Sequence, residues 1–382
     1  MRITSLTTMI ITATISVLWL DSCCKHKDKV QEDAIELGVS GKATKAIIDN
    51  VDSLIAKSYR SGIGFGVYGY KMVKENEEST NSTPYQIFDN VEVNPSNGTN
   101  PDWTYSPKRY WDKNPLASYR FIAYWPHLSK TVSATNPYVS EENRVLTIHN
   151  IPFWQLDSLD QSNDFMTARR FGNYSLGDFT DNNVTKVRFT FSHILAKFVI
   201  RAYYTGVKAS QVKINSISLT PGNSGNPILN TDGKATFTQG FNDNQGTSAF
   251  TGNTPTSTGS HLLYNPTTGM TLNEDTFDDE IAPQDNQYDE ICAWLMVPAS
   301  GWQNLGLTID YSIGGSTPII SRVTGLTLST IVNNETQTGL TVSGKSYVVT
   351  LKFDSSGGGV DLYQVLVRDW VSYDVNTGVY NW

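Results

Sequence analysis

The chain has 382 residues, and 29 Lys+Arg against 37 Asp+Glu give it a formal net charge of -8. With no clustered basic face, that balance excludes phosphate-backbone binding, so no nucleic-acid partner is expected. Its three cysteines, two of them adjacent at Cys23 and Cys24, exclude a disulfide scaffold and a cysteine-built zinc site, while the length allows two domains, each with its own core.

Arg2 is followed by an uncharged, Ile-, Thr-, Val- and Leu-rich run, Ile3 to Leu20, that meets Leu20-Asp21-Ser22-Cys23. A positive start, an apolar middle and a small residue before a break predict a secretion signal over residues 1–22, too short and Thr-rich for a membrane span. Leu three residues before Cys23 and Ser directly before it resemble the bacterial lipobox, in which the Cys becomes the lipidated N-terminus, although Asp21 replaces the usual small or apolar residue. The plainer alternative is an ordinary secretion signal. On the lipobox reading residues 23–33 are a tether, and acyl chains on Cys23, at about 0.8 kcal/mol per buried methylene, anchor the protein.

Ala34-Ile35-Glu36-Leu37-Gly38-Val39 alternates, with Ile35, Leu37 and Val39 on one face of a short strand. A long connection with several basic residues, including Lys45 and Arg60, separates it from the strong strand Phe65-Gly66-Val67-Tyr68-Gly69-Tyr70; exposed connections of this kind are where trypsin-like proteases cut. Residues 85–126 read as short strands punctuated by Pro101, Ser106-Pro107 and Asn114-Pro115. Their aromatics, Trp103, Tyr105, Tyr110, Trp111, Tyr119, Tyr124 and Trp125, invite a carbohydrate-stacking hypothesis, but aromatics at strand spacing are first of all sandwich core.

The stretch Val187 to Tyr204 organises the chain. Its apolar residues sit on odd positions through Phe191 and on even positions from Ile194, so an extra residue, a corner or a change of sheet is required near His193. Beyond Gly206 the pattern restarts with Val212 to Leu219, whose phase changes near Ser216, and Ala235-Thr236-Phe237 reads as its partner after a turn. Residues 240–290 read as surface loops, and strands return at Ile291 to Val297, Leu305 to Ile313, Ile319 to Leu328 and Tyr347 to Phe353. After Gly357-Gly358-Gly359 comes one more strand, Leu362 to Val375, with Tyr363, Val365, Val367, Val371, Tyr373 and Val375 alternating. That strand either finishes its own sheet or pairs with a neighbour's open edge. The expected class is all-β, two tandem antiparallel sandwiches at residues 34–205 and 206–359, followed by a candidate donor strand at 360–382.

Chemistry is sparse. His26, His127, His149, His193 and His261 show no metal-ligand spacing, and His193, inside the organising strand, reads as a hydrogen-bonded core histidine. Gly222-Asn223-Ser224-Gly225 lacks the strand-to-helix elbow of a hydrolase serine, and Asp275, Asp278, Asp279 and Glu280 lack the residue order of a calcium loop. No cofactor, metal site or catalytic residue is expected.

Taken as a set, Thr44-Lys45-Ala46 before Phe65-Gly66-Val67-Tyr68-Gly69-Tyr70, Tyr105-Ser106-Pro107-Lys108-Arg109-Tyr110-Trp111, Phe121-Ile122-Ala123-Tyr124-Trp125-Pro126, Phe191 to Lys197 and Gly344-Lys345-Ser346-Tyr347 resemble the fimbrillin family of Bacteroidetes type V pili, especially its Mfa-like branch. The resemblance implies two transthyretin-like Greek-key sandwiches and a palmitoylated lipoprotein precursor carried to the outer membrane. There a Lys/Arg-specific protease removes the first strand, and a strand from another subunit fills the groove. Carried onto this sequence, the removable strand is Ile35 to Val39, the cut falls after Lys45 or Arg60, and the donor is Leu362 to Val375. The implied partners are other fimbrial subunits, the outer membrane through the lipid, and a host or bacterial surface ligand. A pilus-tip adhesin or glycan-binding lipoprotein, using the aromatic block or the loops of 240–290, is the alternative.

Overall fold

In a computed structural model the described residues are 33–39, 62–96, 103–156, 164–181, 183–205, 212–221, 233–241, 248–252, 259–272, 288–332, 335–354 and 359–370. The signal, Cys23, Lys45, Arg60, the acidic residues 275–280 and the far end of the expected donor strand, Val371, Tyr373 and Val375, lie outside them. Within them the fold is all-β and mostly antiparallel, with a single 3-10 turn at Tyr174–Leu176.

A six-stranded sheet runs in the order Ser192–His193, Met166–Gly172, Ala117–Trp125, Phe65–Lys74, Ser82–Pro95, Trp103–Thr104. The Phe65–Lys74 strand sits inside it because its residues alternate between two buried faces. Phe65 and Val67 join Phe121, Ala123 and Trp125 in one core, while Tyr68 joins Ile122 and Tyr124 in a second. Gly66 lies opposite Tyr124 in the register, and a Cβ there would overlap the Tyr124 ring. The Tyr124 ring therefore occupies the space that a side chain at 66 would fill, which is why glycine stands there.

The second core lies between two further sheets. One is ordered Val360–Asp369, Lys345–Asp354, Ala196–Thr205, Asp289–Met296, Trp154–Leu156. The other is ordered His261–Tyr264, Val212–Thr220, Leu305–Ile313, Ile319–Leu326, with Met270–Thr271 also paired to Val212–Thr220. Phe198, Ile200, Tyr347 and Phe353 meet Ile214, Leu307, Ile309 and Tyr311 between them. The phase change near Ser216 is a register shift between Ile214 and Ser216.

The flip near His193 is a change of sheet. Val187–Phe189 pairs with Leu37–Val39, Ser192–His193 joins the six-stranded sheet, and Ala196–Thr205 becomes the centre of the five-stranded one. Sheet membership thus changes ahead of residue 206, and strands on either side of 206 pair with each other. A four-stranded sheet joins Tyr138–Glu142 and Val145–Pro152 to Lys234–Gly240 and Ala249–Thr251, and Trp154–Leu156 pairs with Asp289–Met296.

Two expectations need correction. Ala235 to Phe237 does not partner Val212–Thr220; Lys234–Gly240 pairs with Val145–Pro152, because Ala235 and Phe237 complete the core over Ile148 and Ile151. Residues 240–290 are not all loop, since they contribute the strands Ala249–Thr251, His261–Tyr264 and Met270–Thr271 and bury Phe241, Leu263 and Leu272. Within this mostly antiparallel fold, Leu37–Val39 runs parallel to Val187–Phe189, and Ala196–Thr205 parallel to Lys345–Asp354.

Candidate strand-exchange site

The first described strand is held on both sides. Towards Val187–Phe189 the Val187 N–H donates to Glu36 O at 2.8 Å; towards the 109–111 segment Ile35 N–H donates to Arg109 O at 2.8 Å, and Trp111 N–H donates to Asp33 O at 3.0 Å. The Tyr105 hydroxyl adds a bond to Ile35 O at 2.6 Å. Alternation then sets the side chains: Ile35, Leu37 and Val39 are buried and Glu36 is exposed. The pocket they enter is built from edge-to-face rings, with Phe65 packed on Trp103 at 4.8 Å, on Phe191 at 5.5 Å and on Phe189 at 5.8 Å. Trp111 stacks on Tyr174 at 4.9 Å and meets Tyr119 edge-on at 4.7 Å.

The strand's leading end is clipped by Asp33, which accepts from the Tyr174 hydroxyl at 2.7 Å and ion-pairs with Lys113 at 3.2 Å. The Tyr174 hydrogen bond first, then Lys113, hold the Asp33 carboxyl below its ordinary pKa. Burial pushes the Tyr105 phenol above its ordinary value, so it remains a neutral donor. Backbone groups, an apolar slot and one charge clip thus define a seat that any extended segment of matching alternation could occupy.

The expected donor strand packs at home. Val360–Asp369 lies antiparallel to Lys345–Asp354 at the edge of the five-stranded sheet. Val365 and Val367, with Leu362, face the core, but Tyr363 does not share their face. A register shift at Thr350/Leu351 leaves Tyr363 unopposed, 41% exposed, with its ring edge-on to Tyr203 at 5.0 Å. The bulge breaks the simple alternation read from sequence. On the opposite face Leu366 packs on Val199, Ala293 and Val348.

Of the seven aromatics considered for glycan stacking, Trp103, Tyr105, Trp111, Tyr119, Tyr124 and Trp125 are buried, and Tyr110 alone among them is exposed. The block is therefore mainly core, with Tyr110 its one ring at the surface. His193 is buried with its Nδ1 2.7 Å from Asp164 Oδ1, the hydrogen-bonded core histidine expected from sequence. Its partner had no sequence signal, lying 29 residues away without a motif. Cys292 is a free, buried thiol. Among the described residues no group of His, Cys, Asp and Glu could hold a metal, and no helix is long and apolar enough to cross a membrane.

Comparison with known structures gives a crystallised fimbrial protein from Bacteroides vulgatus, 17% identical, with a TM-score of 0.52 over 88% of this chain and 99% of that one. A cell adhesion protein from Bacteroides uniformis is 16% identical, with a TM-score of 0.43 over 89% and 99% of the two chains. The tip fimbrial protein Mfa3 from Porphyromonas gingivalis is 9% identical, with a TM-score of 0.31 over 81% and 94%. No curated protein matches the chain. The family model described as fimbrillin-like matches residues 56–370, most of the chain, and the protein therefore belongs to the fimbrillin-like family.

Proposed function

We propose that the protein is a structural subunit of a type V pilus, exported as a lipoprotein precursor lipidated at Cys23 and assembled at the outer membrane by protease-triggered strand exchange in support of cell adhesion. Family membership supports the fimbrial part of this reading. The observation that carries the exchange is the seat of Ile35 to Val39, a short strand bonded on both sides and followed in sequence by the connection that contains Lys45 and Arg60. Cutting that connection frees the strand to leave. Its departure leaves the Arg109 carbonyl and the Val187 and Trp111 N–H groups unpaired and uncovers Phe65, Phe189 and Trp103, a surface that an in-register strand from a neighbour satisfies. The segment beginning at Val360 is the donor, at a sheet edge at home and followed by Val371, Tyr373 and Val375. The role is mechanical and not catalytic.

The test is limited digestion of the purified precursor with a Lys/Arg-specific protease, followed by size-exclusion chromatography and N-terminal sequencing. Trimming after Lys45 or Arg60 should produce ordered oligomers. Clean trimming that leaves only monomers refutes the stalk-subunit reading.

A further inference from the structure

The terminal strand ends in a contact that its β-pairing does not require. Asp369, its last paired residue, lies opposite Lys345 and ion-pairs with it. Trp370 then donates its backbone N–H to Gly344 O at 2.8 Å, and its indole lies flat on the imidazole of His193, with ring centroids 3.8 Å apart and 9° between planes. His193 belongs to a different sheet: it pairs with Met166 at the edge of the six-stranded sheet, and Asp164 just ahead of that strand fixes its ring. The strand end therefore reaches out of its own sheet onto the one that also carries Phe65–Lys74.

All three residues are buried: Trp370 and His193 are each 3% exposed and Asp164 is 1% exposed. The contact is not fully satisfied, however. His193 Nε2 and Trp370 Nε1 are both buried without a hydrogen-bond partner among the described residues. Unpaired buried polar atoms weaken a contact that stacking and shape hold together. Such a contact keeps a strand in place while leaving it releasable.

We infer that Trp370, seated on the His193–Asp164 pair, is a latch that positions the terminal strand at home and sets how readily it leaves. The biological use of the latch rests on the strand-exchange reading above, but the latch itself is a property of the single chain. Asp164 acts through His193 and is a positioning residue; Trp370 is the element held.

Hydrogen exchange followed by mass spectrometry on the full chain tests it, with Trp370→Ala, Trp370→Phe and Asp164→Asn. Expected in Trp370→Ala is an increase of about tenfold or more in exchange at 360–369, the factor that 1.4 kcal/mol produces, with Phe65–Lys74 unchanged. Trp370→Phe keeps an aromatic stack and should restore slow exchange, while Asp164→Asn should raise it at 360–369 by less than Trp370→Ala does. Unchanged exchange in both Trp370→Ala and Asp164→Asn overturns the latch, as does an increase shared equally by Phe65–Lys74 in all variants. Should Trp370→Ala fail to fold, Asp164→Asn and Trp370→Phe decide on the same criteria. Oligomer formation after protease trimming is scored separately. Faster opening without oligomers sinks strand exchange and leaves the latch standing, whereas oligomers with unchanged exchange sink the latch alone.

Discussion

Leu37→Ala probes the hold on the first strand most directly. Leu37 is 1% exposed, between Ile35 at 0% and Val39 at 8%, so three aliphatic side chains anchor the strand. At about 1.5–3 kcal/mol each, their burial is worth about 5–9 kcal/mol as an upper figure, comparable with the net stability of a whole domain. Truncating Leu37 removes about 2–5 kcal/mol of this, because the surrounding Phe65 and Phe189 rings cannot fully close the cavity. If the strand opens as a unit of its own, amide exchange at Leu37–Val39 should rise by about 30-fold or more, while Ala117–Trp125 keeps its wild-type protection. The assay is hydrogen exchange resolved by peptide, with protease trimming run in parallel to see whether the loosened strand departs sooner. A uniform acceleration of Leu37–Val39 and Ala117–Trp125 would refute the reasoning: the strand would then be an integral part of one cooperative sheet, and nothing removable.

Three further tests use separate features. The depressed pKa of Asp33 means that its clip stabilises the strand above the ordinary carboxylate value of 3.8 and is lost as pH falls through the lower folded value. Protection at Leu37–Val39, taken relative to the intrinsic exchange rate at each pH, should therefore fall below about pH 4, and Tyr174→Phe, which removes the larger cause, should flatten that dependence. Gly66→Val drives a branched side chain into the Tyr124 ring and should lower Tm and soluble yield, whereas the same change at Gly62, where no atom lies near, is limited to its backbone strain. Burial pushes the Cys292 thiol up to about 12, so a maleimide at pH 8 should label it only after denaturation; rapid labelling of the native protein would show that the Asp289–Met296 strand opens readily.

Much of the architecture was legible because alternation is a local signal. Ile35, Leu37 and Val39 announced a strand with one buried face, and the parity change around His193 announced an extra residue, a corner or a change of sheet, of which the structure shows the last. What alternation cannot convey is which strand lies alongside. Parallel seating of Leu37–Val39 on Val187–Phe189, and capture of Lys234–Gly240 by Val145–Pro152, depend on how distant apolar faces close over one another. Nor could it reveal that Ala196–Thr205 is buried on both faces. Lys197 and Arg201 are charged yet buried, and Arg201 is enclosed, donating from Nε to Thr350 Oγ1 at 2.9 Å with its guanidinium 3.7 Å from the Tyr288 ring centroid. Tyr363 misled for a smaller reason, since one bulge reverses the face of every residue on one side of it.

The two parallel pairings among the described strands share a single support. Residues Val187 to Thr205 hold the first strand along Val187–Phe189, turn through His193, and then hold Lys345–Asp354, which in turn carries Val360–Asp369. Parallel neighbours cannot be joined by a tight turn, so each of these strands reaches its seat through a long connection. A strand seated that way can leave without dragging a hairpin partner with it, provided its connection is cut or flexible. For the first strand that connection contains Lys45 and Arg60, the cut sites of the processing proposed above. The terminal strand is seated differently: it lies antiparallel to Lys345–Asp354 and follows it in sequence, so it leaves only by unpairing from its own hairpin partner. Its hold is then the ladder to Lys345–Asp354 and the stack of Trp370 on His193, at the turn of the stretch that also supports the first strand. His193 thus lies between Val187–Phe189, which seats the first strand, and Ala196–Thr205, which supports Lys345–Asp354, and the Trp370 indole rests on it.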